Sequence, residues 1–153
     1  FSKINSLDNI YDFLDVYSSD NLLIVPQWLP KIAWYFGGAE LLSLFCDYED
    51  VEYIEKNKLN LCLDISHLIL SANYANQDWK LWYKKLIKST SHIHLGDAKG
   101  LASEGISLGK GDLGNFLSIL INKNVIVLET WQGHLNNGEK FYKDLTYIKK
   151  NYG

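Results

Sequence analysis

Four short aliphatic runs, each followed by a turn and a helical pattern, constrain this chain more than any other feature. Residues 21–28 (NLLIVPQW), 61–64 (LCLD), 92–95 (HIHL) and 125–129 (VIVLE) are nearly continuous in hydrophobicity, as strands buried on both faces are. Between them the apolar residues recur at helical spacing. A first helix spans 6–19, with Leu7, Ile10, Tyr11, Phe13 and Leu14 on one stripe. Pro26 and Pro30 end the first strand, Gly37 and Gly38 turn the chain, and 39–57 reads as one helix or two short ones. Asn76 or Asp78 caps a helix carrying Trp79, Trp82, Tyr83 and Leu86. Asp112 caps one built on Phe116, Leu117, Leu120 and Ile121, and 138–151 closes the chain on Phe141, Leu145 and Ile148. Strand-then-helix units in unbroken succession predict an α/β fold, a parallel sheet covered by helices, in a single domain over residues 1–153.

The strand ends carry the chemistry. In parallel α/β folds, functional side chains gather at the carboxyl edge of the sheet. Alternation puts Cys62 and Asp64 on one face of their strand, His92 and His94 on one face of theirs, and Val125, Val127 and Glu129 on one face of the last. With those faces turned inward, Asp64, His94 and Glu129 converge from three neighbouring strands. One imidazole and two carboxylates suit a divalent ion such as zinc, manganese or magnesium. His67, three residues beyond Asp64, is a candidate further ligand, a ligand of a second ion, or a group that polarises a substrate hydroxyl. Asp97 either orients an imidazole from behind or caps its own loop. Gly109 and Gly111, in SLGKGDLGNF, suit a phosphate-cradling turn as well as a plain strand-to-helix turn. His134 reads as a surface or helix-entry residue. Trp34, Trp79, Trp82 and Trp131 fit helix–sheet packing, and Trp131, just past Glu129, is also placed to stack on a sugar face.

Composition excludes several classes. The formal net charge of −3 and the absence of a basic run argue against a nucleic-acid partner. No apolar run approaches the roughly 18 residues of a membrane span. Cys46 and Cys62 lack CxxC spacing and read as reduced, buried thiols of a cytoplasmic protein.

Taken together, these motifs resemble the xylose isomerase-like TIM barrels, which include sugar isomerases, epimerases and abasic-site nucleases of the endonuclease IV type. LCLDISHL resembles the sixth-strand D-x-x-H of that family, HIHLGDAKG its seventh-strand His with an acidic loop, SLGKGDLGNF its G-x-G turn, and VIVLET the eighth strand ending in Glu. The resemblance implies strands five to eight of a barrel, about four (β/α) units forming its C-terminal half. It further implies a metal held by Asp64, His94 and Glu129, catalytic roles for Glu129 and His67, and a sugar-like substrate touching His67 and Trp131. A complete barrel takes about 250 residues. The half is therefore expected to pair with a missing N-terminal half or to form a homo-oligomer.

Three departures bear on the reaction. Gln27 stands where the family's fifth strand ends in a metal-binding Glu, and a neutral amide is a weaker ligand and no base. Ser103 and Gly105 occupy the positions of the nucleases' Asp-x-His. The epimerases' loop Arg is absent, with Glu104 nearby. The expected function is the metal-dependent isomerisation or epimerisation of a sugar or sugar derivative. The alternatives are a non-catalytic barrel module that binds a sugar or partner domain, and a metal-dependent phosphodiester hydrolase.

Overall fold

The computed structural model describes residues 2–35, 37–120 and 125–152. Three parallel strands form the centre: β3 (Leu61–Asp64), β4 (Thr90–Leu95) and β7 (Val125–Leu128), in the order β3-β4-β7. The 24–28 segment runs beside β3 as a fourth parallel element. Among the described residues its one bridge is Gln27 to Cys62, with the Cys62 N–H donating to Pro26 O and the Trp28 N–H to Cys62 O, each at 2.9 Å. Pro26 has no N–H to give, and the run at 21–28 makes only isolated bridges, this one and an antiparallel one between Ser19 and Leu22.

The sheet is packed on one side. Leu61, Leu63, Ile93 and Leu95 are fully buried; α3 (Ile65–Tyr74) lies against β3 and β4, and α4 (Trp79–Leu86) packs on α3. Trp28 meets Trp82 edge-on at 6.1 Å, and Trp79 and Tyr83 both pack edge-on against Phe116. Asp78 caps α4 by accepting the Lys80 N–H. The first helix, α1 (Lys3–Tyr17), buries Leu7 and Tyr11 but leaves Phe13 exposed, and α2 (Tyr48–Asn57) lies against α4.

Four local expectations are corrected. Residues 39–41 are not helical: β1 (Ile32–Tyr35) and β2 (Gly38–Leu41) form an antiparallel hairpin, because cross-strand pairing outweighs the helix preference of Ala39, Glu40 and Leu41. Residues 65–74, which no helical pattern marks, form α3. Its sequence is apolar nearly all round, with seven of ten residues buried, so it shows no amphipathic period. The glycine-rich 96–111 loop contains a small hairpin, β5 (Asp97–Lys99) with β6 (Ser103–Ile106). Asp112 does not cap α5 (Leu117–Leu120); its carboxylate accepts from Asn73 Nδ2 and the Gly100 N–H, and Ile121 lies outside the described residues. The last helix, α6 (Leu135–Tyr152), has left-handed backbone at Asn136, Asn137 and Gly138, so its regular part starts where the sequence indicates.

Candidate metal centre

The parallel register sets the site. Cys62 and Val125 flank His92 across the ladder, and Asp64 and Val127 flank His94 in the next same-face row. The Glu129 N–H extends the ladder to Leu95 O at 2.9 Å, which carries the Glu129 side chain just past the strand end. Ligand-capable atoms of Asp64, His94 and Glu129 all lie within 4.8 Å of one another. His94 Nδ1 stands 2.5 Å from Glu129 Oε2. That approach lacks hydrogen-bond geometry, and Nδ1 is buried without a hydrogen-bond partner. Buried polar atoms are rarely left this way. An orphaned ring nitrogen beside two carboxylates fits a divalent cation, whose charge both acids neutralise.

Asp64 is held from several sides. It is 2 % exposed and ends β3 while capping α3. Its Oδ1 accepts the His67 N–H at 3.1 Å and the Ser66 hydroxyl at 2.9 Å. Gln27 Nε2 donates to Oδ2 at 3.0 Å. The helix-capping and site roles therefore coexist in one carboxylate, and Gln27 acts as a donor that aims it.

The state of His67 follows from its neighbour. Nδ1 lies 3.0 Å from the Trp28 carbonyl, which can only accept, so in the neutral ring Nδ1 carries the proton and Nε2 the lone pair. Asp64 Oδ2, at 3.2 Å from the same nitrogen, reinforces that tautomer. Nε2 is 4.0 Å from Glu104 Oε1. Glu104, on β6, thus joins the site as a carboxylate that the strand-end pattern did not select, since it arrives from the hairpin inside the glycine-rich loop.

Beside these groups opens a cleft of about 670 Å³, within the usual range for small-molecule sites. Asp64, His67, Glu104 and Glu129 line it, as do Trp131 and the exposed His134. Trp131 is 65 % exposed, and its N–H donates to Gly105 O, which ties the loop after β7 to β6. Buried Asp144 of α6 secures the same loop: Thr130 Oγ1 donates to its Oδ2, and the Leu108 N–H to its Oδ1.

Asp97 does not touch an imidazole among its hydrogen bonds. Fully buried, it accepts the N–H groups of Ala98 and Leu113 on Oδ1 and of Gly109, Lys110 and Gly111 on Oδ2. The reading as a loop cap is the one realised. The amides that would have cradled a phosphate are already spent on an internal anion. Gly111 is required here, because a Cβ would lie 2.1 Å from Ala98 O. One row below the site, burial pushes the Cys62 thiol up to about 12, helped by the Asp64 and Glu129 charges. Burial, and then the neighbouring His94, lower the pKa of His92.

A parallel sheet backed by helices, with an acid, an imidazole and a second acid at neighbouring strand ends, is the arrangement of an α/β barrel with a candidate site at its carboxyl edge. Residues 49–151 match the family described as xylose isomerase-like TIM barrel, and the chain belongs to that family. The match covers β3, β4 and β7 and excludes Gln27, whose place beside the site is given by its bridge to Cys62. No curated protein and no solved structure matches the chain.

Proposed function

We propose that this chain is the C-terminal half of a divalent-metal-dependent enzyme that isomerises or epimerises a sugar or sugar derivative. The observation that carries the proposal is the convergence of Asp64, His94 and Glu129 around an unsatisfied His94 nitrogen. A bound divalent ion supplies Lewis acidity toward the adjacent oxygens of a sugar, which acidifies the carbon-bound proton. The chain's own residues would do the rest. The Glu129 side chain, about half exposed at the cleft, is placed to accept that proton. Gln27 cannot be the second base. In its neutral form, His67 Nε2, 4.0 Å from Glu104 Oε1, can accept a proton from a sugar hydroxyl and pass it to that carboxylate. Trp131 offers an exposed ring face to the apolar side of a sugar.

The barrel must be closed by another half, either a preceding segment or a second copy of the chain. Among the described residues β7 is a sheet edge, and Val125 (70 % exposed) and Val127, on the face that carries His92 and His94, lie open to solvent. Buried, unpaired thiols at Cys46 and Cys62 accord with a cytoplasmic location. Among the described residues no helix is long and apolar enough to cross a membrane.

One observation favours the non-catalytic module: Gln27 fills the fifth-strand position with an amide committed to Asp64. Metal analysis of the purified chain and of Asp64→Asn, with solvent-deuterium incorporation into candidate sugars, separates the two readings. Stoichiometric metal lost in the variant, together with deuterium at the carbon beside the carbonyl, supports the enzyme. Metal without exchange points to the module. Absence of metal under manganese, magnesium and zinc supplementation overturns the metal-dependent enzyme.

A further inference from the structure

The concave wall carries a second set of donors. Cys62, His92 and His94 bring a thiol and two imidazoles within 4.8 Å of one another, one row toward the amino ends of the strands. Cys62 and His92 are cross-strand partners, and His94 follows His92 on the same face of β4. Sulfur and nitrogen donors in such a group favour zinc or another soft to borderline cation, whereas the Asp64–His94–Glu129 set is oxygen-rich and suits manganese or magnesium.

His92 is prepared for this role from behind. Ser91 Oγ donates its one proton to Leu61 O at 3.0 Å, so toward His92 Nδ1, at 2.9 Å, it can only accept. Nδ1 therefore carries the ring proton and Nε2 the lone pair, the tautomer a ligating imidazole needs. Access exists, because His92 is half-buried and its partner Val125 is 70 % exposed. The other mixed cluster, Cys46 with Asp47 and Asp50, does not qualify. Lys3 and Lys31 neutralise its acids, and the Asp50 carboxylate accepts the N–H groups of Cys46 and Asp47.

We propose that Cys62, His92 and His94 form a zinc site that competes for His94 with the Asp64–His94–Glu129 set. A neutral imidazole has one lone pair, so His94 serves one cation at a time. Zinc on the sulfur-bearing set withdraws His94 from the oxygen-rich set and acts as an inhibitory ion. The site stands independently of the reaction proposed above; only the inhibition rests on that reading.

Cobalt(II) reports thiolate ligation through a near-ultraviolet sulfur-to-metal charge-transfer band. Titration of the purified chain with cobalt is expected to produce that band in the wild type, in Asp64→Asn and in Cys46→Ser. It is expected to vanish in Cys62→Ser and in His92→Gln. Circular dichroism checks each fold, and His92→Gln, at a half-buried position, carries the test should Cys62→Ser not fold. In parallel, one equivalent of zinc is expected to expel bound manganese from the wild type, read by the electron paramagnetic resonance of free manganese, but not from His92→Gln. No band in the wild type, a band surviving in His92→Gln, or zinc and manganese bound together overturns the competing site. Manganese binding without the band sinks this inference alone; the band without manganese binding leaves the sulfur-bearing site standing and sinks the oxygen-rich set and, with it, the competition.

Discussion

Replacing Asp97 by Asn changes almost no volume but strands backbone donors that converge on a fully buried carboxylate. The carboxylate is fully buried, with two backbone N–H groups on Oδ1 at 2.8 and 3.0 Å and three on Oδ2 at 3.1, 3.1 and 2.8 Å. An Asn side chain keeps one oxygen and turns an NH₂ toward the other group of donors. In one orientation two backbone amides lose their acceptor, and in the other three do. The two donors on Oδ1 are buried and the three on Oδ2 half-buried. At about 1–3 kcal/mol per unsatisfied buried donor and less for the half-buried ones, with the weakened charge-assisted bonds in addition, the loss is about 4 kcal/mol. With a urea m-value of about 2 kcal/mol/M, the unfolding midpoint falls by about 2 M. Hydrogen exchange adds a local reading, since the amides of Gly109, Lys110 and Gly111 should lose protection before the strands do. A midpoint shift worth under about 1 kcal/mol, with those amides still protected, would refute the view that Asp97 holds the loop together.

Gly111→Ala puts a Cβ 2.1 Å from Ala98 O and 2.5 Å from Asp97 Oδ1, so thermal unfolding should reveal a loss of about 2–4 kcal/mol. Thr130→Val removes the hydroxyl that donates to buried Asp144 and should cost about 1–2 kcal/mol in urea unfolding. Asp144→Ala should cost more, because it also strands the Leu108 N–H. Cys46 is fully buried, and burial, then the Asp47 charge, push its thiol from 9.0 up to about 12. The folded chain therefore holds that proton where the unfolded chain releases it, and stability should fall as pH rises through 9 toward 12. The same shift leaves about a thousandfold less thiolate than an ordinary cysteine, so mass-spectrometric alkylation of Cys46 at pH 8 should proceed only through unfolding.

The strand pattern was legible because it is local. Leu61, Leu63, Ile93 and Leu95 alternate with Cys62, Asp64, His92 and His94, and a two-residue period assigns them to opposite faces whatever lies far away in the chain. That alternation is enough to bring Asp64, His94 and Glu129 to one end of a parallel sheet once the strands neighbour one another. What each polar group does there was decided by the tertiary structure. Asp64 caps a helix whose burial nearly all round hides its period, and Gln27, 37 residues earlier, aims the same carboxylate. Glu104 meets His67 only because the β5–β6 hairpin folds back. Asp97 converts a glycine-rich turn from an anion cradle into one closed by its own anion, through amides 12 to 16 residues away. Hydrogen bonds of that reach depend on where the chain returns in space, and nothing in the local run of side chains encodes it.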